Sequence, residues 1–210
     1  MSAVPAAYKT VSAEAEDQFV EKKSQFIGYA CPVTTEEQAQ AIIAARKKKF
    51  WDAKHNVWAY VLRSGTSRCS DDGEPQGTAG VPVLDVLQKA GITDCVVVVT
   101  RYFGGVLLGA GGLVRAFSHG AAIGVEAAKP VIMRPCTVVT VTCDYSRYGG
   151  VQALLAAHAQ MGDTEFGEAV TLTATLPDED VAAVQAALTD LSAGQLTLTA
   201  VEQKYAPFTE

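Results

Sequence analysis

The feature that most restricts the fold of this chain is an apolar strand that leads through a glycine-rich loop into a helix. Residues 94–100 contain an unbroken run of Cys and four Val residues, which is typical of a strand covered on both faces. A helix is predicted over 113–128, with small residues on the side that packs against a sheet. The pattern predicts a domain in which a sheet and helices pack together. The glycines between strand and helix are Gly104, Gly105, Gly109, Gly111 and Gly112.

The charges divide the chain into two parts. Its 210 residues include 17 basic and 23 acidic side chains, a net charge of -6. Residues 1–128 contain 13 of each sign, whereas residues 129–210 contain 4 basic and 10 acidic residues. We therefore expect two domains, at 15–130 and 134–205, after a flexible N-terminus at 1–14. The net acidity argues against a general nucleic-acid coat, but the neutral first part still allows an RNA surface.

Composition and cysteine usage indicate a globular protein of the cytoplasm. Hydrophobic residues make up 49% of the chain, enough for a substantial core. The five cysteines show no CxxC spacing and are odd in number, which favours a reducing compartment. No signal peptide is recognisable, and the longest uncharged apolar stretch is too short and too rich in glycine to cross a membrane.

Apolar spacing and turn residues predict the elements of the first domain. The pattern over 15–33 is extended, and residues 21–24 form either a hairpin turn or a polar edge. Thr34 and Thr35 then open a helix through overlapping capping boxes. A strand over 57–62, a turn-rich loop over 63–80, and a helix with Pro82 in its first turn follow before the strand and helix already described.

The second domain shows a regular alternation of strands and helices after a junction marked by Pro130 and Pro135. The order strand, helix, strand, strand, helix, strand is that of a ferredoxin-like βαββαβ domain. The predicted strands lie at 137–143, about 164–166, 169–176 and 195–202, and the predicted helices at about 147–161 and 178–191.

Candidate functional residues concentrate in the first domain. The segments 70–80 and 104–115 each lead into a helix N-terminus, whose free N–H groups can bind anions. The residues that we predict to line a cleft are His55, Asn56, Asp71, Asp72, Glu74, Gly77, Thr78, Arg101, Tyr102, Gly104, Gly105, Gly111, Gly112 and Arg115.

Two interpretations of the cleft remain open. In the first, the glycine-loop amides bind a small anion such as phosphate together with Arg101 and Arg115. In the second, the glycines only permit tight turns, and the arginines pair with the acidic residues of the 70–80 loop. The second interpretation predicts that Asp72 or Glu74 lies within ion-pair reach of Arg101 or Arg115.

Other chemistries have weaker support. Acidic residues in a Gly/Pro turn are more often solvated or paired with arginine than bound to a metal, so no metal or cofactor is predicted. Cys69 or Ser118 could act as a nucleophile with His55 or His119 as base, but no nucleophile elbow is present, and no catalytic residue is predicted. The basic run at 46–49, followed by two aromatic residues, could bind RNA or simply form a solvated helix end.

At these segments the chain resembles the YigZ/IMPACT family, as a bacterial two-domain member. The resemblance covers roughly residues 15–205 and is loose in the second domain. It is carried by Lys54-His55-Asn56-Val57-Trp58-Ala59-Tyr60, by Ser70-Asp71-Asp72-Gly73-Glu74-Pro75-Gln76-Gly77-Thr78-Ala79-Gly80, by Val99-Thr100-Arg101-Tyr102-Phe103-Gly104-Gly105, and by Leu108-Gly109-Ala110-Gly111-Gly112-Leu113-Val114-Arg115-Ala116.

The resemblance implies both a fold and a functional role. The fold would be α+β with two domains, of which the first would be similar to the second domain of ribosomal small-subunit protein five, an α+β sandwich, and the second to a ferredoxin-like domain of elongation factor G. Eukaryotic relatives are translational regulators with a further N-terminal partner-binding domain, which we do not expect here. The family implies a translation-linked and non-enzymatic role but provides no agreed catalytic residues.

Three functional hypotheses follow. The protein could be a translation regulator that binds the ribosome, RNA or a translation factor through the cleft. It could instead be an enzyme that binds a nucleotide or phosphate there, or an interaction module that acts through the acidic second domain.

Overall fold

The computed structural model describes residues 6–208. Its contacts define two compact units, Tyr8–Ile132 and Met133–Phe208. The elements of the first unit are β1 (Tyr8–Val11), β2 (Ala15–Glu21), β3 (Ser24–Pro32), α1 (Glu36–Lys49), β4 (His55–Val61), β5 (Ser67–Ser70), α2 (Gly80–Lys89), β6 (Cys95–Tyr102) and α3 (Ala110–Ala127). Then follow β7 (Pro130–Cys143), which begins in the first unit, α4 (Tyr148–His158), β8 (Gln160–Phe166), β9 (Val170–Pro177), α5 (Val181–Ser192) and β10 (Thr199–Phe208).

Strand β6 is the centre of the first sheet, whose order is β2-β3-β6-β4-β5. It pairs antiparallel with β3 and with β4. Residues 95–101 are all buried. Val97 and Val99 pack with α2 and α3 on one face, and Val96 and Val98 pack with α1 on the other. The prediction of an α+β fold around a strand covered on both faces is confirmed.

The local turn and cap signals of the first unit are also confirmed. Lys22 and Lys23 have φ values of 45° and 67° and form the two-residue turn between β2 and β3. At the start of α1, Thr35 Oγ1 accepts a hydrogen bond from the backbone N–H of Gln38 at 3.2 Å. The Gln38 side chain in turn accepts from the backbone N–H of Thr34 at 2.8 Å.

Helix α3 begins three residues earlier than predicted. Gly111 and Gly112 therefore lie in its first turn rather than in the preceding loop. Gly109 occupies the N-cap position with φ 72°, a left-handed conformation that favours glycine. The predicted apolar stripe is buried, and its members are Leu113, Ala116, Phe117, Gly120, Ala121 and Gly124.

Two strands of the first unit were not predicted. Strand β5 lies within the 63–80 segment that we predicted to be a loop, because its sequence Ser-Arg-Cys-Ser lacks apolar alternation; pairing with β4 stabilises it. Strand β1 lies within the segment predicted to be a flexible N-terminus, of which residues 1–5 fall outside the described part. The carbonyl of Lys9 accepts from the backbone N–H of Thr93 at 2.8 Å, and Thr10 Oγ1 donates to the carbonyl of Asp94 at 3.1 Å.

The predicted βαββαβ order of the second domain is confirmed. Its four strands run β10-β7-β9-β8, as in ferredoxin-like domains. Helices α4 and α5 contribute buried residues to the same core as β7 and β9. Strand β9 alternates buried apolar residues with partly exposed threonines, as predicted.

Several predicted boundaries of the second domain shift. Strand β7 begins at Pro130 rather than at residue 137, so the two prolines that we placed in a junction lie within it. Strand β8 begins at Gln160 and has an irregularity between Met161 and Thr164. Strand β10 occupies Thr199–Phe208 rather than 195–202. Within the described residues, no helix is long and apolar enough to cross a membrane.

Candidate functional site

Glu74 and Arg101 form a buried ion pair in the predicted site. Nη1 of Arg101 donates to Oε1 of Glu74 at 2.6 Å, and the two side chains are 6% and 3% exposed. Nε2 of His55 lies 3.6 Å from the same oxygen. The prediction that Asp72 or Glu74 pairs with Arg101 or Arg115 is confirmed, through Glu74 and Arg101.

Asp72 fastens the 70–80 loop to neighbouring elements instead of pairing with an arginine. Its Oδ2 accepts from the backbone N–H of Asn56 at 2.7 Å, and its Oδ1 accepts from Nζ of Lys47 at 2.5 Å. Nδ1 of His55 donates to the Asp72 carbonyl at 2.7 Å. These contacts fix the loop that carries Glu74 against strand β4.

Asp71 caps the N-terminus of helix α2. Its Oδ1 accepts from the backbone N–H groups of Ala79 and Gly80 at 3.0 and 2.8 Å, and its Oδ2 accepts from that of Gly77 at 2.9 Å. Burial alone would raise the pKa of this carboxyl. The three N–H donors nevertheless hold the pKa of Asp71 below its ordinary value because they stabilise the charged form.

Replacing Asp71 with asparagine is expected to lower the free energy of unfolding by about 1–2 kcal/mol at pH 7, since a charged cap is lost. The folded pKa lies below the unfolded one, so the stabilisation is present above the unfolded pKa of about 4 and is lost as the pH falls through the folded value. Urea unfolding followed by tryptophan fluorescence should show the difference between the two proteins shrinking as the medium is acidified. A difference that is independent of pH would contradict this role.

The remaining polar candidates have structural partners. Asn56 is buried, and its Oδ1 accepts from Thr100 Oγ1 at 2.8 Å. Thr78 Oγ1 donates to the Pro75 carbonyl at 2.6 Å and stabilises the turn before α2. The Tyr102 hydroxyl donates to Oδ1 of Asp52 at 2.8 Å, and burial together with that carboxylate raises the pKa of Tyr102. Each of these side chains is used in holding the fold together.

Glycines of the loop after β6 satisfy requirements of the backbone. A Cβ atom on Gly104 would overlap the backbone of Lys23, so no larger residue fits beside the β2–β3 turn. Gly105 has φ 82°, a left-handed conformation like that of the N-cap. A Cβ on Gly112 would meet the Leu108 side chain at 2.9 Å, whereas Gly111 has ample space. These observations favour the interpretation in which glycine permits tight turns.

The structure places Arg101 and Arg115 in different cavities, in contrast to the single cleft that we predicted. Arg115 is exposed on the outer face of α3 and borders a cavity of about 260 Å³ beside Phe19, Lys22 and His119. Arg115 lies on the face of α3 opposite its buried residues, and the sequence did not indicate that the β2–β3 hairpin borders that face.

Arg101 borders a larger cavity of about 410 Å³ with a mostly apolar wall. Leu107 and Phe103, which are 82% and 47% exposed, lie at this cavity. The wall consists of Lys54, His55, Glu74, Pro75, Arg101, Phe103, Leu107, Leu108, Gly109, Ala110 and Leu113. The apolar members were not among the predicted site residues, although large apolar side chains between loop glycines were the available signal.

The structure gives little support to the other sites considered from the sequence, which are the basic run at 46–49, a Cys69 nucleophile and a metal site. In the basic run, Arg46 and Lys49 pair with Glu16 at 2.5 and 3.2 Å. Burial, and next the charge of Asp71, raises the pKa of the Cys69 thiol and so disfavours its nucleophilic form. Among the described residues, no group of three or more His, Cys, Asp or Glu side chains is arranged to hold a metal.

Comparison with known proteins identifies the family. Residues 22–125 match the Impact N-terminal domain, and residues 141–195 match a domain of unknown function, DUF1949. The IMPACT family member YvyE of Bacillus subtilis is 35% identical over 201 residues, which cover 94% of this chain and 93% of that protein. The chain belongs to the IMPACT family.

Further relatives support this family assignment. YigZ of Escherichia coli is 35% identical over 205 residues, covering 95% of this chain and 98% of that protein. Protein IMPACT of Bos taurus is 33% identical over 96 residues, covering 42% of this chain and 30% of that protein. A solved structure described as that of a hypothetical protein has a TM-score of 0.59 and 33% identity, and the match covers 93% of this chain and 98% of that one.

Proposed function

We propose that the protein acts in translation in the cytoplasm, by binding a protein component of the ribosome or a translation factor through the cavity beside Arg101. One observation carries this choice of surface: Leu107 and Phe103 are exposed beside an apolar cavity in the family's N-terminal domain. Apolar side chains exposed around a concave wall are typical of protein-binding surfaces. The translation link rests on the resemblance to the family's eukaryotic members.

A protein partner has more support than RNA because Arg101 and Lys47 are already neutralised, which leaves the exposed Lys54 as a single positive charge on the described part of the cavity wall. Arg101 is buried against Glu74, and Lys47 pairs with Asp72 at 2.5 Å. Affinity for a nucleic-acid backbone depends on cations that are free to replace the counterions of the phosphates. The apolar cavity wall offers little to a phosphate backbone and much to an apolar side chain.

Replacing Leu107 with aspartate is expected to remove at least about nine-tenths of the co-sedimentation with bacterial ribosomes, because a charge would face the apolar part of the partner. Stability should hardly change, since Leu107 is 82% exposed. The matched control is Val20→Asp, at an exposed apolar position of β2 (68%) that does not line this cavity.

The measurement is sucrose-gradient sedimentation of the purified full chain with ribosomes. One set of ribosomes retains its bound translation factors, and the other has been washed free of them. Wild-type protein that stays at the top of the gradient under both conditions would reject the ribosome as partner. Equal co-sedimentation of wild type and Leu107→Asp would reject the cavity as the binding surface. In that case the acidic second domain would become the surface to test.

A further inference from the structure

We propose that the cavity beside Arg101 recognises a carboxylate attached to a large apolar group, such as the last residue of a peptide chain or a small apolar acid. This inference rests on the proposed function in one respect, because it specifies what the same cavity would recognise in its partner. It is carried by the unsatisfied edge of a buried arginine, by the charge around it and by the apolar wall.

The first step concerns the hydrogen bonds of Arg101. The guanidinium uses Nη1 for Glu74, and its buried Nε has no hydrogen-bond partner among the described residues. In any guanidinium, Nε–H and one N–H of Nη2 point from the same edge and form a two-donor fork, and the hydrogen bond described for Arg101 uses Nη1 and not this edge. A carboxylate accepts two parallel hydrogen bonds from this kind of fork. A buried donor without a partner is costly, so a ligand oxygen there gains more than it would at an exposed arginine.

The second step concerns the charge of the cavity. Among the described residues of its wall, Glu74 is the one acidic side chain, and it is offset by Arg101, while the exposed Lys54 adds a positive charge. The N-terminus of α3 also reaches the wall at Ala110, and its N-cap Gly109 supplies no side-chain acceptor for the free N–H groups. The net charge of the cavity wall is therefore about +1, which suits a ligand with a single negative charge better than a polyphosphate.

The third step concerns shape and access. A cavity of about 410 Å³ lies in the range that proteins use for small ligands and has room for one large apolar side chain. The Phe103 ring lies 5.5 Å from Cζ of Arg101, and the buried Phe26 ring lies at the same distance. Phe26 is buried in the core and Phe103 is half exposed, so we expect the Phe103 ring to move when a ligand binds at Nε.

The test uses two pairs of probes on the full ¹⁵N-labelled chain. The first pair is N-acetyl-phenylalanine and its neutral carboxamide, and the second is the peptide Ala-Ala-Leu-Phe with a free or an amidated C-terminus. We expect each acid to shift the Arg101 Nε–H and the Ala110 and Gly111 amide resonances, and to bind at least about tenfold more tightly than its amide. Tighter binding of the peptide than of the amino acid would identify a chain terminus as the source, and equal binding a small acid.

Two variants locate the binding without disturbing the buried pair. Leu107→Asp should weaken binding of both acids at least about tenfold, through repulsion of the carboxylate and loss of apolar contact. Arg115→Ala changes a residue of the other cavity and should leave the affinity unchanged. Equal affinity for acid and amide, or binding that is insensitive to Leu107→Asp, would overturn the inference, as would an absence of shifts up to about 10 mM probe.

The two proposals can fail separately. If the probes do not bind but ribosome co-sedimentation still depends on Leu107, the surface is correct and carboxylate recognition is wrong. If the acids bind with the expected selectivity but wild-type protein does not sediment with ribosomes, the cavity is a carboxylate site and the translation partner is wrong.

Discussion

Replacing Glu74 with alanine is expected to lower the free energy of unfolding by about 3–5 kcal/mol, because Arg101 would be left buried without a counter-charge. Both side chains are almost fully buried, so water cannot take over the role of the missing carboxylate. Measurement is by urea unfolding at pH 7. Trp51 and Trp58 both lie in the first unit, so tryptophan fluorescence reports on the part of the chain that carries this pair.

Removing both charges together should be much less harmful than removing one. In the variant with Glu74→Leu and Arg101→Met, no uncompensated charge remains, so we expect most of the loss in stability to be recovered. A double-mutant cycle with the single variants Glu74→Leu and Arg101→Met gives the coupling between the two groups. Asp85→Ala serves as control, because it removes only the exposed pair that Asp85 forms with Lys89 at 3.2 Å, and it should have little effect.

A loss of less than about 1 kcal/mol in Glu74→Ala would mean that the pair behaves like an ion pair on the surface. It would also weaken the case for a strong ligand-binding edge on Arg101, since that case depends on the same exclusion of water. A double variant no more stable than Glu74→Ala would show that the loss comes from packing of the loop rather than from the unpaired charge.

Elements of the fold could be predicted from the sequence where they depend on residues that are neighbours in the chain. The capping at Thr35 and the turn at Lys22 and Lys23 depend on neighbours in sequence, and the structure reproduces them. The burial of strand β6 followed from its own apolar run. Strand β5 was missed because its stability comes from pairing with β4 and not from its own residues.

The candidate site shows the same division. A pairing of Asp72 or Glu74 with Arg101 or Arg115 could be predicted because few charges were available in the two segments that carry the site, and the structure selects Glu74 with Arg101. The separation of Arg115 from Arg101 could not, because it depends on where a distant hairpin packs on helix α3. The functions of Asp71 and Asp72 as cap and loop anchor depend on backbone N–H groups, whose positions the sequence does not state.

Replacing Gly28 with alanine is expected to destabilise the first unit by at least about 3 kcal/mol, at the upper end of the range for overpacking. Gly28 lies in the middle of β3, where the backbone of α3 crosses the sheet in direct contact. A Cβ atom there would overlap the carbonyl oxygen of Gly120 and come within 3.2 Å of the backbone nitrogen of Gly124. The atoms it meets belong to backbone, so no rotation of a side chain can relieve the overlap.

Gly124→Ala tests the same contact from the helix side, because its Cβ would lie 2.7 Å from the carbonyl carbon of Gly28. The control in the same helix is Gly111→Ala, whose Cβ would meet nothing closer than an arginine nitrogen at 3.8 Å, and its stability should stay within about 1 kcal/mol of wild type. Tryptophan fluorescence during urea unfolding measures all three.

Wild-type stability in Gly28→Ala would show that α3 can move away from the sheet at little cost. The N-terminus of α3 would then have no fixed position beside Arg101, and the cavity could not hold the rigid geometry that selective recognition of a carboxylate requires. A large loss of stability in both variants would show instead that close contact between the glycine backbones holds the helix in register. The distance between Ala110 and Arg101 in the binding cavity depends on that register.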